Sequence, residues 1–284
     1  MKIKRKAQKI LRNSVKQLYS TASIRRSLIR FAVARLSGDY RARLYAEALE
    51  RPHYGYCVYN AALLAKKLGH KRISILEFGV AGGEGLRSLE YHATQVSRLL
   101  SIEIELYGFD TGTGLPDPVD YRDLPYHWQE GFFRMDVEKL KGSLKRAKLV
   151  VGDIADTVKT FTATYNPAPI AAIMFDLDFY SSTTASFEIF NIPRSYYLPR
   201  VFCYFDDVLG GNVELYNSYT GVLLAIKEFN EGRDEKKIDR AHYLLAKPLQ
   251  SKWYRQIYVF HDFAHESYNS FIGKRNPQLS LKPV

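Results

Sequence analysis

The chain has 284 residues, of which 46% are hydrophobic and 14% aromatic, enough for a substantial core, and this excludes a disordered or fibrous protein. Its net charge of +11 is uneven, because residues 1–46 hold 13 Lys/Arg and one acid, whereas the remaining residues hold 28 Lys/Arg and 29 Asp/Glu. The body of the chain is nearly neutral, without the clustered basic and aromatic residues of a nucleic-acid groove, so we expect no nucleic-acid partner.

Residues 1–46 predict a basic amphipathic helical extension. Apolar residues such as Ile10, Leu18 and Leu28 recur at roughly helical spacing between Lys and Arg residues. Two interpretations stay open at this point. Residues 1–40 could contact an anionic membrane surface peripherally, or the apolar stripe could pack on the domain or on a second subunit of a homo-oligomer.

Residues 47–284 predict one α/β domain in which short strands alternate with helices. This alternation is typical of a parallel sheet with helices on both faces. Because no clear helix separates the last two strands, we expect a seven-strand, mostly parallel sheet whose last strand is antiparallel. The predicted strands occupy 73–79, 104–110, 147–153, 170–178, 200–206, 241–246 and 256–262, and the predicted helices lie near 85–99, 136–146, 154–164, 182–191 and 219–231.

The sequence EFGVAGGEG follows the first predicted strand and leads directly into a helix. Glycines allow the backbone to turn sharply and to approach a ligand closely, although an ordinary glycine-rich turn is the alternative. The spacing, an acid followed by GxxGGxG, differs from the GxGxxG of dinucleotide sites and is the form expected for S-adenosylmethionine. It therefore argues against a nucleotide-dependent oxidoreductase. The candidate cofactor-binding residues here are Glu77, Gly79, Gly82, Gly83 and Gly85.

Acidic residues also end the second and third predicted strands. Asp110 stands 33 residues after Glu77, at the tip of the second strand, where a carboxylate can accept hydrogen bonds from both ribose hydroxyls. Asp153, at the end of the third strand, could reach an adenine amino group. Both are therefore candidate cofactor-binding residues.

Four carboxylates end the fourth and fifth predicted strands, which are neighbours in a doubly wound sheet. Asp176 and Asp178 follow one strand, and Asp206 and Asp207 follow the other. Converging carboxylates repel each other unless a cation lies among them, and an all-oxygen set suits a hard ion such as Mg²⁺. The alternative is that Asp178 and Asp207 only cap a helix or a turn.

Several segments together resemble the TylF-type (macrocin) O-methyltransferases. They are LEFGVAGGEGLRSLE, YGFDTGTGLP, GDIADTV, FDLDFYSST and YFDD, and they span residues from about 54 to about 230, without the basic extension. The resemblance implies the Rossmann-like class I methyltransferase fold, with S-adenosylmethionine and Mg²⁺ as cofactors. It also implies methyl transfer to a hydroxyl of a sugar or a glycosylated metabolite.

The resemblance implies a role for each of the four carboxylates. Asp176, Asp206 and Asp207 match metal ligands, and Asp178 matches a general base. In some relatives a His shortly after the Asp-Asp pair is the base, but here the pair is followed by VLGGN, so Asp178 takes that role.

The acceptor is expected to be a small molecule or a glycan with two neighbouring hydroxyls. The Pro- and aromatic-rich insertion 111–133 is long enough to shape its pocket, with Arg122, Tyr126, His127 and Trp128 as candidate lining residues. Two alternatives stay open: a non-sugar acceptor, and a membrane-associated protein whose methyltransferase-like domain only binds ligand. The four retained carboxylates disfavour the binding-only interpretation.

Cysteine content and hydropathy indicate the compartment. Only Cys57 and Cys203 occur, 146 positions apart, which supports neither a disulfide framework nor a zinc site and favours a reducing cytosol. The sequence shows no secretory signal pattern, and no apolar run approaches the ~20 residues of a spanning helix. We therefore expect a cytoplasmic protein, with the inner membrane surface as the place of any peripheral contact.

Overall fold

The computed structural model describes residues 24–247 and 250–273. The predicted extension therefore lies partly outside the described residues, and its boundary at residue 46 stays a prediction. The helices are α1 (24–36), α2 (Tyr40–Tyr45), α3 (Pro52–Lys67), α4 (Glu84–Leu100), α5 (Val137–Ser143), α6 (Ile154–Tyr165), α7 (Tyr180–Ser186), α8 (Gly221–Glu231) and α9 (His242–Leu245). The strands are β1 (Arg72–Phe78), β2 (Glu103–Asp110), β3 (Lys148–Val151), β4 (Ile170–Phe175), β5 (Tyr197–Phe205), β6 (Lys236–Arg240) and β7 (Ile257–Asp262).

The seven strands form one sheet in the order β3-β2-β1-β4-β5-β7-β6. Strands β1 to β5 pair in parallel, whereas β7 runs antiparallel to both of its neighbours. The strand order reverses between β1 and β4, and ligands bind at such a switch point in open α/β sheets. The predicted seven-strand, mostly parallel sheet is confirmed.

Helices cover both faces of the sheet and form two separate cores. One core joins the sheet to α2, α3, α4 and α5, and the other joins it to α6, α7 and α8. Helix α3 packs on β1, β4, β5 and α4. Because both faces of the sheet are covered, the central strand β4 is apolar along its whole length, and every one of its residues is buried.

A row of four phenylalanines crosses the sheet just below its functional edge. Phe78, Phe109, Phe175 and Phe205 stand in register on β1, β2, β4 and β5, and each is at most 1% exposed. Neighbouring rings lie 4.5 to 5.3 Å apart between centroids, and the Phe175 and Phe205 rings are stacked. Burial of each ring contributes about 1.5–3 kcal/mol. This phenylalanine row aligns the carboxyl ends of β1, β2, β4 and β5.

Helix α1 is held by its polar side and exposes its apolar side chains. Arg26 donates a hydrogen bond to the Gln250 carbonyl oxygen at 2.9 Å and also contacts Glu47. In contrast, Leu28 and Phe31 are 62% and 60% exposed. The described part of α1 therefore does not pack its apolar side chains on its own domain. No helix in the described ranges is both long and apolar enough to cross a bilayer.

The structure corrects the prediction for two elements. The predicted sixth strand at 241–246 is wrong, because α9 occupies this segment and the edge strand β6 lies just before it. Helix α3 was not predicted. The aromatic residues of its first turns lie in the core, as shown by Tyr54, which is completely buried.

Candidate active site

The candidate residues follow the sheet edge in the order of the strands. Asp153 comes after β3, Asp110 ends β2, and Gly79 follows β1. Asp176 follows β4, and Asp206 follows β5. Since neighbouring strands are about 4.8 Å apart, the five tips span about 19 Å in one line. The structure therefore brings the candidate cofactor-binding residues and the candidate metal ligands to one edge.

The glycine-rich loop between β1 and α4 forms a tight cradle. Gly79 has a φ of +82°, and a Cβ atom there would lie 1.7 Å from the Asp176 carbonyl oxygen. At Gly85, a Cβ atom would lie 1.9 Å from Glu77 Oε1. At Gly82, in contrast, a Cβ atom would meet nothing within 4 Å. Gly79 and Gly85 thus allow close packing of the loop, whereas Gly82 faces open space.

Glu77 is a buried carboxyl with one oxygen satisfied. Tyr54 donates a hydrogen bond to its Oε1 at 2.8 Å, while Oε2 is buried and has no partner among the described residues. Burial raises the pKa of Glu77 to about 8. A buried acceptor without a partner is costly in a native structure and indicates a missing donor.

Asp110 and Asp153 both organise backbone in addition to lining the cavity. Asp110 Oδ2 accepts hydrogen bonds from the amides of Val80 and Ala81, each at 2.9 Å, so it holds the glycine-rich loop against β2. Asp153 caps α6 by accepting from the Ala155 amide at 2.8 Å. Each carboxylate has further lone pairs that a ligand hydroxyl or amine can use.

Three carboxylates meet at the tips of β4 and β5. Asp176, Asp206 and Asp207 each offer an oxygen, and these atoms lie within 4.8 Å of one another. Burial, followed by the charges of Asp207 and Asp206, raises the pKa of Asp176 well above its ordinary value. Burial and neighbouring charges raise the pKa of Asp207 in the same way. A divalent cation among these oxygens would remove the repulsion.

Hydrogen bonds fix the directions of these carboxylates. Tyr204 donates to Asp206, and Gln256 donates to the Asp206 carbonyl oxygen at 2.9 Å. Tyr216 donates to Asp207 Oδ1 at 3.1 Å, and the Asp178 amide donates to Asp207 Oδ2 at 3.0 Å. Such partners orient metal-binding carboxylates.

Asp178 differs from the other three carboxylates in its backbone. Its φ of +59° is left-handed, a conformation that is costly for a residue other than glycine and that clusters at functional sites. Burial, then the charges of Asp176 and Asp206, raises the pKa of Asp178 to about 8. Its side chain does not cap α7, which begins at Tyr180 after Phe179 without a side-chain cap. The capping alternative for Asp178 is therefore not what the structure shows.

The candidate cofactor-binding residues and the four carboxylates at the tips of β4 and β5 line one cavity of about 640 Å³, within the range of small-molecule sites. The insertion and the loop after β5 complete it with Trp128, Phe133 and Tyr216. The Trp128 indole N–H is buried and has no partner among the described residues. The glycine-rich loop and the unpartnered polar atoms of Glu77 and Trp128 fit an elongated polar ligand. The carboxylate oxygens at the tips of β4 and β5 fit a hard cation.

The lining of the cavity differs from the prediction in the acceptor pocket and at two further residues. Of the four insertion candidates only Trp128 lines the cavity; Arg122 pairs with Asp120, and Tyr126 bonds the Glu214 carbonyl oxygen. Arg51 and Tyr216 line the cavity and were not predicted. No sequence signal marks Tyr216. For Arg51 the available signal is the proline that follows it directly and begins a helix.

No protein-family model and no curated protein matches the chain. Among solved structures, CalS11, described as calicheamicin methyltransferase, has a TM-score of 0.50 and 21% identity, covering 85% of this chain and 92% of that chain. An apo structure of CalS11, described as TDP-rhamnose 3'-O-methyltransferase, has a TM-score of 0.42 and 20% identity over 85% and 94% of the two chains. The O-methyltransferase NovP has a TM-score of 0.46 and 13% identity over 84% and 98%. The likeness to the first structure shows a Rossmann-like methyltransferase fold.

Proposed function

We propose that this chain, which has the Rossmann-like fold of methyltransferases, is a Mg²⁺-dependent, S-adenosylmethionine-dependent O-methyltransferase of the TylF type. Its acceptor is a hydroxyl of a sugar or of a glycosylated metabolite. The proposal rests on one observation: the glycine cradle and the three-carboxylate cluster line the same cavity. A cofactor that bears the methyl group can therefore lie next to an activated acceptor.

The cofactor would lie along the strand tips. Asp153 would bind the adenine amino group, Asp110 the ribose hydroxyls, and the glycine-rich loop with Glu77 the rest of the molecule. Bound S-adenosylmethionine would supply an electrophilic methyl group on a sulfonium. The acidic lining of the cavity favours that positive charge.

Asp176, Asp206 and Asp207 would hold Mg²⁺, which would supply positive charge beside the hydroxyl that is methylated. Tyr204 and Tyr216 keep the Asp206 and Asp207 carboxylates in place. Asp178 would accept the hydroxyl proton, and its raised pKa suits a general base that works near neutral pH. The cavity walls, including Trp128, would hold the acceptor oxygen in line with the methyl group.

The test has two stages. Calorimetry first measures binding of S-adenosylhomocysteine; absence of binding to the folded protein would overturn the whole proposal. A mass-shift screen then looks for one added methyl group on nucleotide sugars, lipid-linked glycans and glycosylated metabolites, with Mg²⁺ and with excess chelator. Nucleotide sugars are tested first, because CalS11 is described as acting on TDP-rhamnose. Full turnover in chelator would remove Mg²⁺ from the proposal.

We also propose a peripheral contact between residues 1–40 and an anionic lipid surface. Residues 1–36 carry eleven Lys/Arg and no acid, and the described part of this segment, α1, exposes Leu28, Phe31 and Leu36. Exposed apolar side chains between basic ones are the features of a helix that lies in a membrane interface. Packing of the same helix on a second copy of the chain is the alternative outcome.

A further inference from the structure

The cavity has one basic side chain among nine acidic ones. Of the described residues that line it, Arg51 alone carries a positive charge, against the nine carboxylates of Glu77, Glu84, Asp110, Asp153, Asp176, Asp178, Asp206, Asp207 and Glu214. Such a lining suits the sulfonium and the ammonium group of S-adenosylmethionine. The α-carboxylate of the same cofactor carries the opposite charge and requires a cation or several N–H donors.

Arg51 is held in the cavity by an unusual backbone. It precedes α3 with a φ of 41° and a ψ of 61°, a left-handed conformation that glycine adopts without strain and other residues rarely adopt. Pro52 follows it as the first residue of the helix. A strained residue of this kind persists only where the surrounding structure holds it, and such residues cluster at ligand sites.

The guanidinium group of Arg51 is held in position by its neighbours but has no strong ion pair. Its Cζ atom lies 5.2 Å from the centroid of the Tyr54 ring, and Tyr54 in turn donates a hydrogen bond to Glu77. Its nearest carboxylate is Glu84 at 4.0 Å, and the Glu84 side chain is 76% exposed. A contact this long to an exposed partner is weak, so the guanidinium group can donate hydrogen bonds to an incoming carboxylate instead.

We infer that Arg51 binds the α-carboxylate at the methionine end of S-adenosylmethionine, an inference that rests on the proposed function. Glu77, whose Oε2 has no partner among the described residues, lines the same cavity and offers an acceptor for the neighbouring ammonium group. An α-amino acid carries both charges on one carbon, so it fits between the two side chains. The methionine end therefore lies at β1 and α3, and the adenine lies at the opposite end, near β3.

Calorimetry with two ligands tests this inference without turnover. S-adenosylhomocysteine carries the amino-acid end, whereas 5′-deoxy-5′-methylthioadenosine lacks it and keeps the nucleoside. Arg51→Gly removes the guanidinium and relieves the left-handed strain, so the fold is retained and a melting curve checks it. We expect about 10- to 100-fold weaker binding of S-adenosylhomocysteine and less than about twofold change for methylthioadenosine.

Two more variants complete the experiment. Arg51→Lys keeps the charge without the two-pronged geometry and should bind S-adenosylhomocysteine with intermediate affinity. Arg87→Ala removes an exposed charge on α4, outside the cavity lining, and should change neither affinity. Equal losses for both ligands, or none for S-adenosylhomocysteine, would overturn the inference while the proposed function stands. If the wild-type protein binds neither ligand, the proposed function fails and the inference fails with it.

Discussion

Asp178 has a carboxyl that is buried beside other acids, on a backbone that favours glycine. We predict that Asp178→Asn lowers kcat by about 10²- to 10⁴-fold, because the amide side chain cannot take the proton from the substrate hydroxyl that is methylated. Affinities for Mg²⁺ and S-adenosylhomocysteine, measured by calorimetry, should stay close to those of the wild type. Asp156→Asn, an exposed acid on α6, is the matched control.

The opposite pattern would exchange the roles of two residues. If Asp176→Asn abolished turnover with unchanged metal affinity, while Asp178→Asn lost the metal, then Asp176 would be the base and Asp178 a ligand.

Tyr216 acts on the candidate metal site through Asp207. Its hydroxyl donates to Asp207 Oδ1, so Tyr216→Phe should weaken Mg²⁺ binding by about 10- to 100-fold through loss of that orientation. Calorimetric titration with Mg²⁺ measures the effect. Tyr219→Phe is the control, because Tyr219 lies in the same loop and is 70% exposed. An unchanged Mg²⁺ affinity in Tyr216→Phe would show that Asp207 is oriented without it.

Sequence reasoning found the candidate acids of the site because each lies within three residues of the end of a strand. The glycine spacing and the Asp pairs are local patterns, and the parallel strand order then brings them to one edge. Tyr216 could not be found in this way, because its contact with Asp207 depends on how the loop after β5 folds back. Arg51 had a signal, since it precedes the proline that begins α3, but the left-handed turn that directs it cannot be read from Arg-Pro alone.

At the scale of elements, two loops depend on one glycine. A side chain at Gly79 would collide with the Asp176 backbone, because a Cβ atom would lie 1.7 Å from its carbonyl oxygen. We predict that Gly79→Ala displaces the loop after β4 and abolishes Mg²⁺ binding as well as cofactor binding, or prevents folding. Gly82→Ala should keep the fold and Mg²⁺ binding, because the added methyl group meets only open space.

Melting curves and Mg²⁺ titrations of the two alanine variants separate these outcomes. If Gly79→Ala bound Mg²⁺ like the wild type, the two strand tips would be independent, and the shared geometry would have no role in the site.

Two elements show why the fold was only partly predictable. Strand β6 lies at the sheet edge and buries one apolar residue, Ile238, so it lacks the alternating pattern of a half-buried strand. The segment after it is more apolar, which favours a strand by composition, but it forms helix α9. Helix α3 is buried on most sides, so its apolar residues show no single stripe of helical period.

At the scale of the whole molecule, helix α1 exposes both apolar and basic side chains to solvent. We predict that the full chain cosediments with vesicles of phosphatidylserine and phosphatidylcholine but not with phosphatidylcholine alone. Replacing both Leu28 and Phe31 with serine should abolish cosedimentation, because the replacement removes the apolar area that the helix would bury in the membrane interface. Serine at the exposed Val119 and Tyr121 is the control.

A different result would favour protein contact. If the double serine variant leaves cosedimentation unchanged, or if the chain forms a dimer that this variant dissociates, then α1 packs on a second copy.

The phenylalanine row has a further consequence for the behaviour of the molecule in salt. Its rings form an apolar layer between the four carboxylates and the core, so mobile ions cannot approach these carboxylates from the core side. Buried charges are screened by salt much less than exposed charges. Arg25, Arg30 and Arg35 of α1 are exposed to water, where the Debye length shortens to about 3 Å at 1 M salt. Raising ionic strength should therefore detach the chain from anionic vesicles well before it displaces a divalent ion from the site.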